Sequence, residues 1–114
     1  MQDEPAPPLQ KLSTGDIYHY LLFPRWEWGV SERYWQAAFN YVKRFLPTCG
    51  FDPREAASAH YVTIIGNSQG VKEAVEADLR ASGCRVERIS GLDGKEIERI
   101  LDGLAHAGKR FRNL

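Results

Sequence analysis

The chain lacks both a long hydrophobic run and a net charge. No apolar stretch in its 114 residues approaches the roughly 20 residues that a membrane-spanning helix needs. Its 15 Lys and Arg residues equal its 15 Asp and Glu residues, so no overall field would gather a polyphosphate. These absences predict a soluble chain with no membrane span and no nucleic-acid partner.

Cysteine and histidine are scarce and scattered along the sequence. Cys49 and Cys84 form no Cys-x-x-Cys pair, and His19, His60 and His106 do not cluster with them. A structural zinc site needs such ligands at short, regular spacing, so we expect neither a metal nor another cofactor. The first residues also lack the basic and then apolar stretch of a signal peptide, which leaves the compartment open.

Length and composition predict one ordinary globular domain. Hydrophobic residues make up 43% and charged residues 26% of the chain, and its length supports a single core. Residues 1–12 contain three prolines and no periodic pattern. We therefore expect a flexible N-terminal arm over 1–12 and a single domain over 13–114.

The pattern of apolar residues predicts strands that alternate with helices. Three β-branched or aromatic runs predict strands at 17–23, 61–65 and 85–89. Helical spacing and capping residues predict four helices, which begin near Ser31, Asp52, Ser68 and Asp93. Strands joined through helices imply parallel pairing with right-handed crossovers. The sequence thus predicts an α/β fold of order β-α-α-β-α-β-α, a small three-layer sandwich with a three-stranded parallel sheet of Rossmann-like or flavodoxin-like type.

One stretch of the chain resembles the cell-wall-binding repeat of the second type. Residues 62–71 are VTIIGNSQGV and residues 86–93 are VERISGLD, a strand, turn, helix start and second strand similar to that repeat. The resemblance covers residues 61–93 in one copy, and the chain departs from the family pattern at Asn67 and at Gly94-Lys95. It implies a non-catalytic accessory module of a larger secreted protein, located outside the cell or at the bacterial surface.

The loops that follow the predicted strands form the expected binding site, because ligands of open parallel sheets bind outside the carboxyl ends of the strands. The candidate ligand-binding residues in these loops are Arg25, Trp26, Glu27, Trp28, Asn67, Ser68, Gln69 and Asp93. Two tryptophan faces beside charged groups suit the apolar face and hydroxyl groups of a sugar ring. Two alternatives stay open: the tryptophans cover the core, and residues 66–70 form only a tight turn before a helix rather than an anion site.

Three functions fit these features. The first is a non-catalytic module that binds a saccharide or cell-wall polymer. The second is a small hydrolase or transferase, with Glu27 or Asp93 facing Ser68 at the carboxyl ends of the strands. No nucleophile elbow frames Ser68, and His60 precedes its strand at the opposite edge, so the sequence favours a non-enzymatic role. The third is an assembly module that forms a homo-oligomer through a sheet edge or an apolar helix face.

Further predictions concern the cysteines, His19 and the C-terminus. The first helix would end at the edge where Cys84 begins a strand, so we expect Cys49 and Cys84 to lie close enough for a disulfide. Such a bridge would favour an extracellular location.

His19 lies in an apolar strand, and this position predicts a hydrogen-bonded core histidine. Residues 109–112 predict a solvated helix end, with contact to an anionic polymer as the alternative.

Overall fold

The computed structural model describes residues 17–26, 29–30 and 32–114, and the side chains of all of these except 26, 29 and 30. The predicted arm over 1–12, the predicted cap Ser31, and the candidate residues Glu27 and Trp28 lie outside the described residues. The elements within the described residues are β1 (Ile17–Leu22), β2 (Arg25–Trp26), β3 (Gly29–Val30), α1 (Glu32–Phe45), β4 (Thr48–Gly50), α2 (Pro53–Ala56), β5 (Ala59–Ile65), α3 (Glu73–Ala81), β6 (Arg85–Ile89) and α4 (Gly94–Ala107).

The main sheet is parallel throughout and runs in the order β4-β1-β5-β6. The predicted α/β sandwich with a parallel sheet is therefore confirmed, and β5 lies beside β1 as expected of the second predicted strand. The prediction of three strands is one short. The extra strand, β4, has only three residues, and it forms because the chain turns back at Leu46, whose φ is +52°. Phe23 N then donates to Gly50 O at 2.8 Å and extends the pairing with β1.

A second departure from the prediction lies directly after β1. The predicted loop contains a short antiparallel ribbon, in which β2 pairs with β3 through Arg25 opposite Val30 and Trp26 opposite Gly29. This ribbon continues the chain from the carboxyl end of β1 towards the start of α1. It therefore lies at the edge of the sheet where the sequence predicts a binding site.

Two apolar clusters hold helices against the two faces of the sheet. Successive strand residues point to opposite faces, so Tyr20 and Leu22 pack with α2 and α3, whereas Leu21 packs with α1 and α4. Leu79 of α3 and Leu101 of α4 are fully buried, so a layer of helices packs against each face of the sheet. The predicted three-layer arrangement is thus confirmed.

The cysteines lie at opposite edges of the sheet and are not bridged. Cys49 is on β4, and Cys84 immediately precedes β6. Three strand spacings of about 4.8 Å place these edges about 14 Å apart, whereas a disulfide needs Cα atoms within about 7 Å. The predicted proximity of the cysteines is wrong because β4, absent from the prediction, carries Cys49 to the far edge. The argument for an oxidising compartment loses its basis.

Candidate functional site

The carboxyl edge of the sheet gathers the loops that follow β5 and β6. Gly66 N donates to Ile89 O at 2.8 Å and ties the ends of these two strands together. Arg88 fixes the same loop from the α3 side, because its guanidinium donates to Gly66 O at 2.8 Å and to Val71 O at 2.9 Å. The loop between Gly66 and Val71 is therefore held at both ends, which gives its exposed side chains a defined position.

Asn67 shapes this loop, and its effect corrects one prediction. Its side-chain Oδ1 accepts from Gln69 N at 2.9 Å, and its carbonyl accepts from Gly70 N and Val71 N. The chain is thereby held in a turn, and α3 begins only at Glu73. The prediction that Ser68 caps this helix is wrong. The loop also lacks the helix N-terminus on which an anion site there would depend, so Ser68 and Gln69 remain as exposed polar side chains.

Asp93 lies at the same edge, and its side chain caps a helix. Its Oδ1 accepts from Glu96 N at 3.0 Å and caps α4, while Glu96 Oε1 accepts from Leu92 N at 2.6 Å. This reciprocal pair realises the predicted capping box, with the return bond made one residue earlier than the cap. Asp93 is exposed, but one of its oxygens is already committed to the helix.

Arg25 and Arg33 add cations to this edge. The exposed Arg25 guanidinium lies 4.9 Å from the ring centroid of Phe51. Arg33, which the sequence reasoning missed, extends from the first turn of α1 across Gly94. A Cβ built at Gly94 would lie 2.7 Å from Arg33 Nε, so the absence of a side chain there makes room for the arginine. In the sequence, Gly94 directly after the cap Asp93 is the sign that a neighbouring side chain could pack there.

The tryptophan part of the predicted site stays a prediction. Trp26 belongs to β2 by its backbone, and its side chain is among those not described. Glu27 and Trp28 lie outside the described residues. Whether the two indoles face a ligand or cover the core is therefore a question for the experiment below.

A second group of polar residues lies inside the sheet, on the face covered by α1 and α4. His19, Thr63 and Glu87 are only 2%, 1% and 6% exposed, and they come from three neighbouring strands. Buried polar groups are costly unless each is hydrogen-bonded. Their partners explain why they are tolerated.

These partners form a closed ring of hydrogen bonds. Arg110 Nη1 lies 3.2 Å from His19 Nδ1, and a guanidinium can only donate, so Nδ1 accepts and the imidazole is neutral. The proton is then on Nε2, which donates to Thr63 Oγ1 at 2.8 Å. Tyr41 donates its hydroxyl proton to the carbonyl of Arg110, which leaves the Tyr41 oxygen able to accept the Thr63 hydroxyl proton. Arg110, His19, Thr63 and Tyr41 thus form a ring that begins and ends at Arg110.

The pKa values of the ring follow from this arrangement. Burial first, and the nearby positive charge of Arg110 second, lower the pKa of His19 from 6.5 to about 3. Burial is also the main reason that the pKa of the Tyr41 hydroxyl is raised well above its usual value of 10. Both groups are therefore uncharged at neutral pH. His19 behaves as the predicted hydrogen-bonded core histidine.

The C-terminal segment packs over this ring through Arg110 and Phe111. The prediction of a solvated helix end is therefore wrong for these two residues, whereas the side chains of Lys109 and Arg112 are exposed. The two Glu87 carboxylate oxygens accept from Arg112 N at 2.7 Å and from Asn113 N at 2.8 Å. Phe111 stacks on Tyr61 with ring centroids 4.5 Å apart. The segment is held by side chains spread over the sheet, and its local composition gives no sign of them.

Within the described residues, neither His60 nor His19 is placed to act as a base at Ser68. His60 and Ile65 are separated by five residues of β5, about 16 Å, and Ser68 lies beyond Ile65. Both ring nitrogens of His19 are already hydrogen-bonded within the closed ring. Within the described part of the chain, no group of three or more His, Cys, Asp or Glu residues is placed to hold a metal ion.

Comparison with known proteins found no family model, no curated protein and no solved structure that matches this chain. Among the described residues, no helix is both long enough and apolar enough to cross a membrane.

Proposed function

We propose that this domain is a non-catalytic module that binds a saccharide at the carboxyl edge of its sheet. The observation that carries the proposal is the convergence of exposed polar side chains there, with Ser68 and Gln69 on a fixed loop and Arg33 on the neighbouring helix start. Amides, hydroxyls and guanidinium groups pair well with sugar hydroxyls. Trp26 and Trp28 would supply the flat apolar faces.

The resemblance of residues 61–93 to a cell-wall-binding repeat supports a bacterial cell-wall polymer as the source of that saccharide. On this proposal the domain is an accessory part of a secreted or surface protein and does not turn its ligand over. One stacked tryptophan contributes about 1 to 2 kcal/mol at about 25 cal/mol per Å² of buried apolar surface. A shallow site of this kind should bind with a Kd between about micromolar and millimolar.

The test is a titration of the ¹⁵N-labelled protein with tri-N-acetylchitotriose, followed by amide chemical shifts. We expect shifts at residues 66–70 and 91–94, and loss of binding in Trp26→Ala and Trp28→Ala with little change in Tm. Gln69→Ala should weaken binding, whereas the matched variant Gln36→Ala, on the exposed face of α1, should not.

The opposite pattern would contradict the proposal. If the tryptophans cover the core, each alanine variant costs about 3 to 5 kcal/mol and lowers Tm by many degrees. That result, together with no shifts in the wild-type protein up to about 10 mM ligand, would leave no support for a saccharide site at this edge.

One observation favours the assembly alternative. On α1 the Phe39 side chain is 60% exposed and the neighbouring Trp35 is 37% exposed, which gives this helix an apolar outer face. A homodimer through this face should weaken in Phe39→Lys but not in the control Gln69→Lys, on the exposed loop after β5, as measured by sedimentation equilibrium. A monomer at all concentrations would remove this alternative. The described residues offer no comparable observation for a hydrolase or transferase.

A further inference from the structure

A cavity of about 370 Å³ lies at the amino end of the sheet, opposite the proposed saccharide edge. Its walls come from the start of β1, the start of β5 and the chain just before and at the start of β6. The lining residues are Tyr18, His60, Tyr61, Gly83 and Arg85. Its size is at the lower end of the range for small-molecule sites.

Two aromatic rings form one wall of this cavity, and the fold holds one of them in place. The Tyr18 and Tyr61 ring centroids are 5.1 Å apart, and Tyr18 is 54% exposed. Phe111 stacks on Tyr61 from the C-terminal segment, which is itself tied to the buried Glu87. A large, half-exposed aromatic side chain beside a fixed one offers apolar surface that a flat ligand can cover.

Two arginines among the described residues lie beside the cavity. The Arg85 guanidinium lies 5.8 Å from the Tyr61 ring centroid, and Arg110 lies 5.3 Å from that of Tyr18. Among the described residues no carboxylate forms an ion pair with either arginine. The nearby carboxylate of Glu87 is buried and accepts two backbone amides rather than pairing with either arginine.

Gly83 lines the remaining side of the cavity and contributes no side chain to it. It has a φ of +96° after α3, a conformation that glycine adopts readily and other residues rarely do. His60 supplies a further flat ring that can hydrogen-bond. Aromatic faces, an imidazole and an unpaired guanidinium therefore surround one opening of small-molecule size.

We propose that this cavity binds a small planar anion, an aromatic ring that carries one carboxylate or phosphate group. The ring packs against Tyr18 and Tyr61. The anionic group binds the Arg85 guanidinium, whose paired N–H donors match two oxygens of a carboxylate or phosphate. The site is separate from the proposed saccharide edge, so either proposal can fail without the other.

The test uses 2-naphthoate as the probe and the full chain, with amide chemical shifts as the readout. Cyclohexanecarboxylate has the same charge without a flat ring, and 2-naphthol has the flat ring without the carboxylate. We expect 2-naphthoate to shift amides at 18, 60–61 and 83–85, with a Kd below about 1 mM. Each of the other two compounds should bind at least about fivefold more weakly.

Arg85→Gln should weaken 2-naphthoate binding at least about tenfold. Arg99→Gln removes an exposed charge from α4 and should leave the affinity unchanged, which separates a site from general attraction of anions. Tyr18→Leu keeps apolar bulk but removes the flat face, and should weaken binding severalfold. The proposal is overturned by an absence of shifts at about 5 mM, by equal loss in the Arg85 and Arg99 variants, or by equal binding of 2-naphthol.

Discussion

His19 should make the stability of the fold depend steeply on pH between neutrality and pH 5. In the folded protein its pKa is lowered to about 3 by burial and by the charge of Arg110, whereas the unfolded chain has the ordinary value of 6.5. As pH falls below 6.5 the unfolded state takes up a proton that the folded state does not. Acid therefore favours unfolding, and the stabilisation is fully present only above about pH 6.5.

The magnitude follows from linkage. At about pH 5 the unfolded imidazole is almost fully protonated and the folded one is almost fully neutral, so His19 alone costs about 2 kcal/mol of stability relative to pH 7.5. This figure barely depends on the folded pKa, because any value below about 4 gives nearly the same result. The full effect, about 5 kcal/mol, would be reached only below the folded pKa.

The assay is urea unfolding followed by circular dichroism at both pH values, for wild type and for His19→Gln. The variant loses buried hydrogen bonds and should be less stable at pH 7.5 by about 1 to 3 kcal/mol, but it should lose about 2 kcal/mol less than wild type on going to pH 5. His60 and His106 are present in both proteins, so their contributions cancel in the comparison.

The comparison of wild type with His19→Gln isolates His19 from the other titratable groups. Burial opposes ionisation of Glu76, but hydrogen bonds from Arg80 and Arg88 hold its pKa below 4.5, so its contribution is lost only at lower pH. Equal pH dependence in wild type and His19→Gln would refute the neutral, arginine-bonded imidazole described above.

Three further predictions follow from the helix ends, the ion pairs and the thiols. Asp93→Ala removes the α4 cap and should cost about 1 kcal/mol in urea unfolding, and no loss would contradict the capping role. Arg88→Gln breaks a largely buried pair with Glu76 and should cost about 3 kcal/mol, against less than about 0.5 kcal/mol for the exposed Arg99→Gln. Both cysteines should react with a thiol reagent in unfolded protein without reductant, and dithiothreitol should not change Tm; since burial raises the pKa of Cys49 to about 11, its reaction in the native state should be slow.

Local sequence signals predicted most of the fold. Asp52 caps α2 through Arg54 N at 2.9 Å, and Gly108 ends α4 with a φ of +68°, as the capping residues and glycines indicated. The β-branched run of β5 lies inside the sheet, as its burial on both faces required. Each of these features depends on residues within a few positions of one another.

Features that depend on tertiary pairing were missed. The three residues of β4 carry no apolar alternation, and they form a strand because the turn at Leu46 brings them beside the open edge of β1. At Ser68 the composition suits a helix cap, but the side chain of the preceding Asn67 bonds first and delays the helix to Glu73. Two local hydrogen-bonding patterns compete here. Which of them forms depends on backbone geometry, and residue preferences alone do not predict that geometry.

The buried ring shows the same limit at the scale of the whole domain. Its members are separated by tens of residues, from His19 on β1 to Arg110 after α4, and only the strand register brings His19 to within 2.8 Å of Thr63. Since these polar groups are satisfied within the chain, a ligand would have to break the ring to use them. The groups left for binding are those at the two ends of the sheet, the exposed loop after β5 and the arginine-lined cavity at the start of β6.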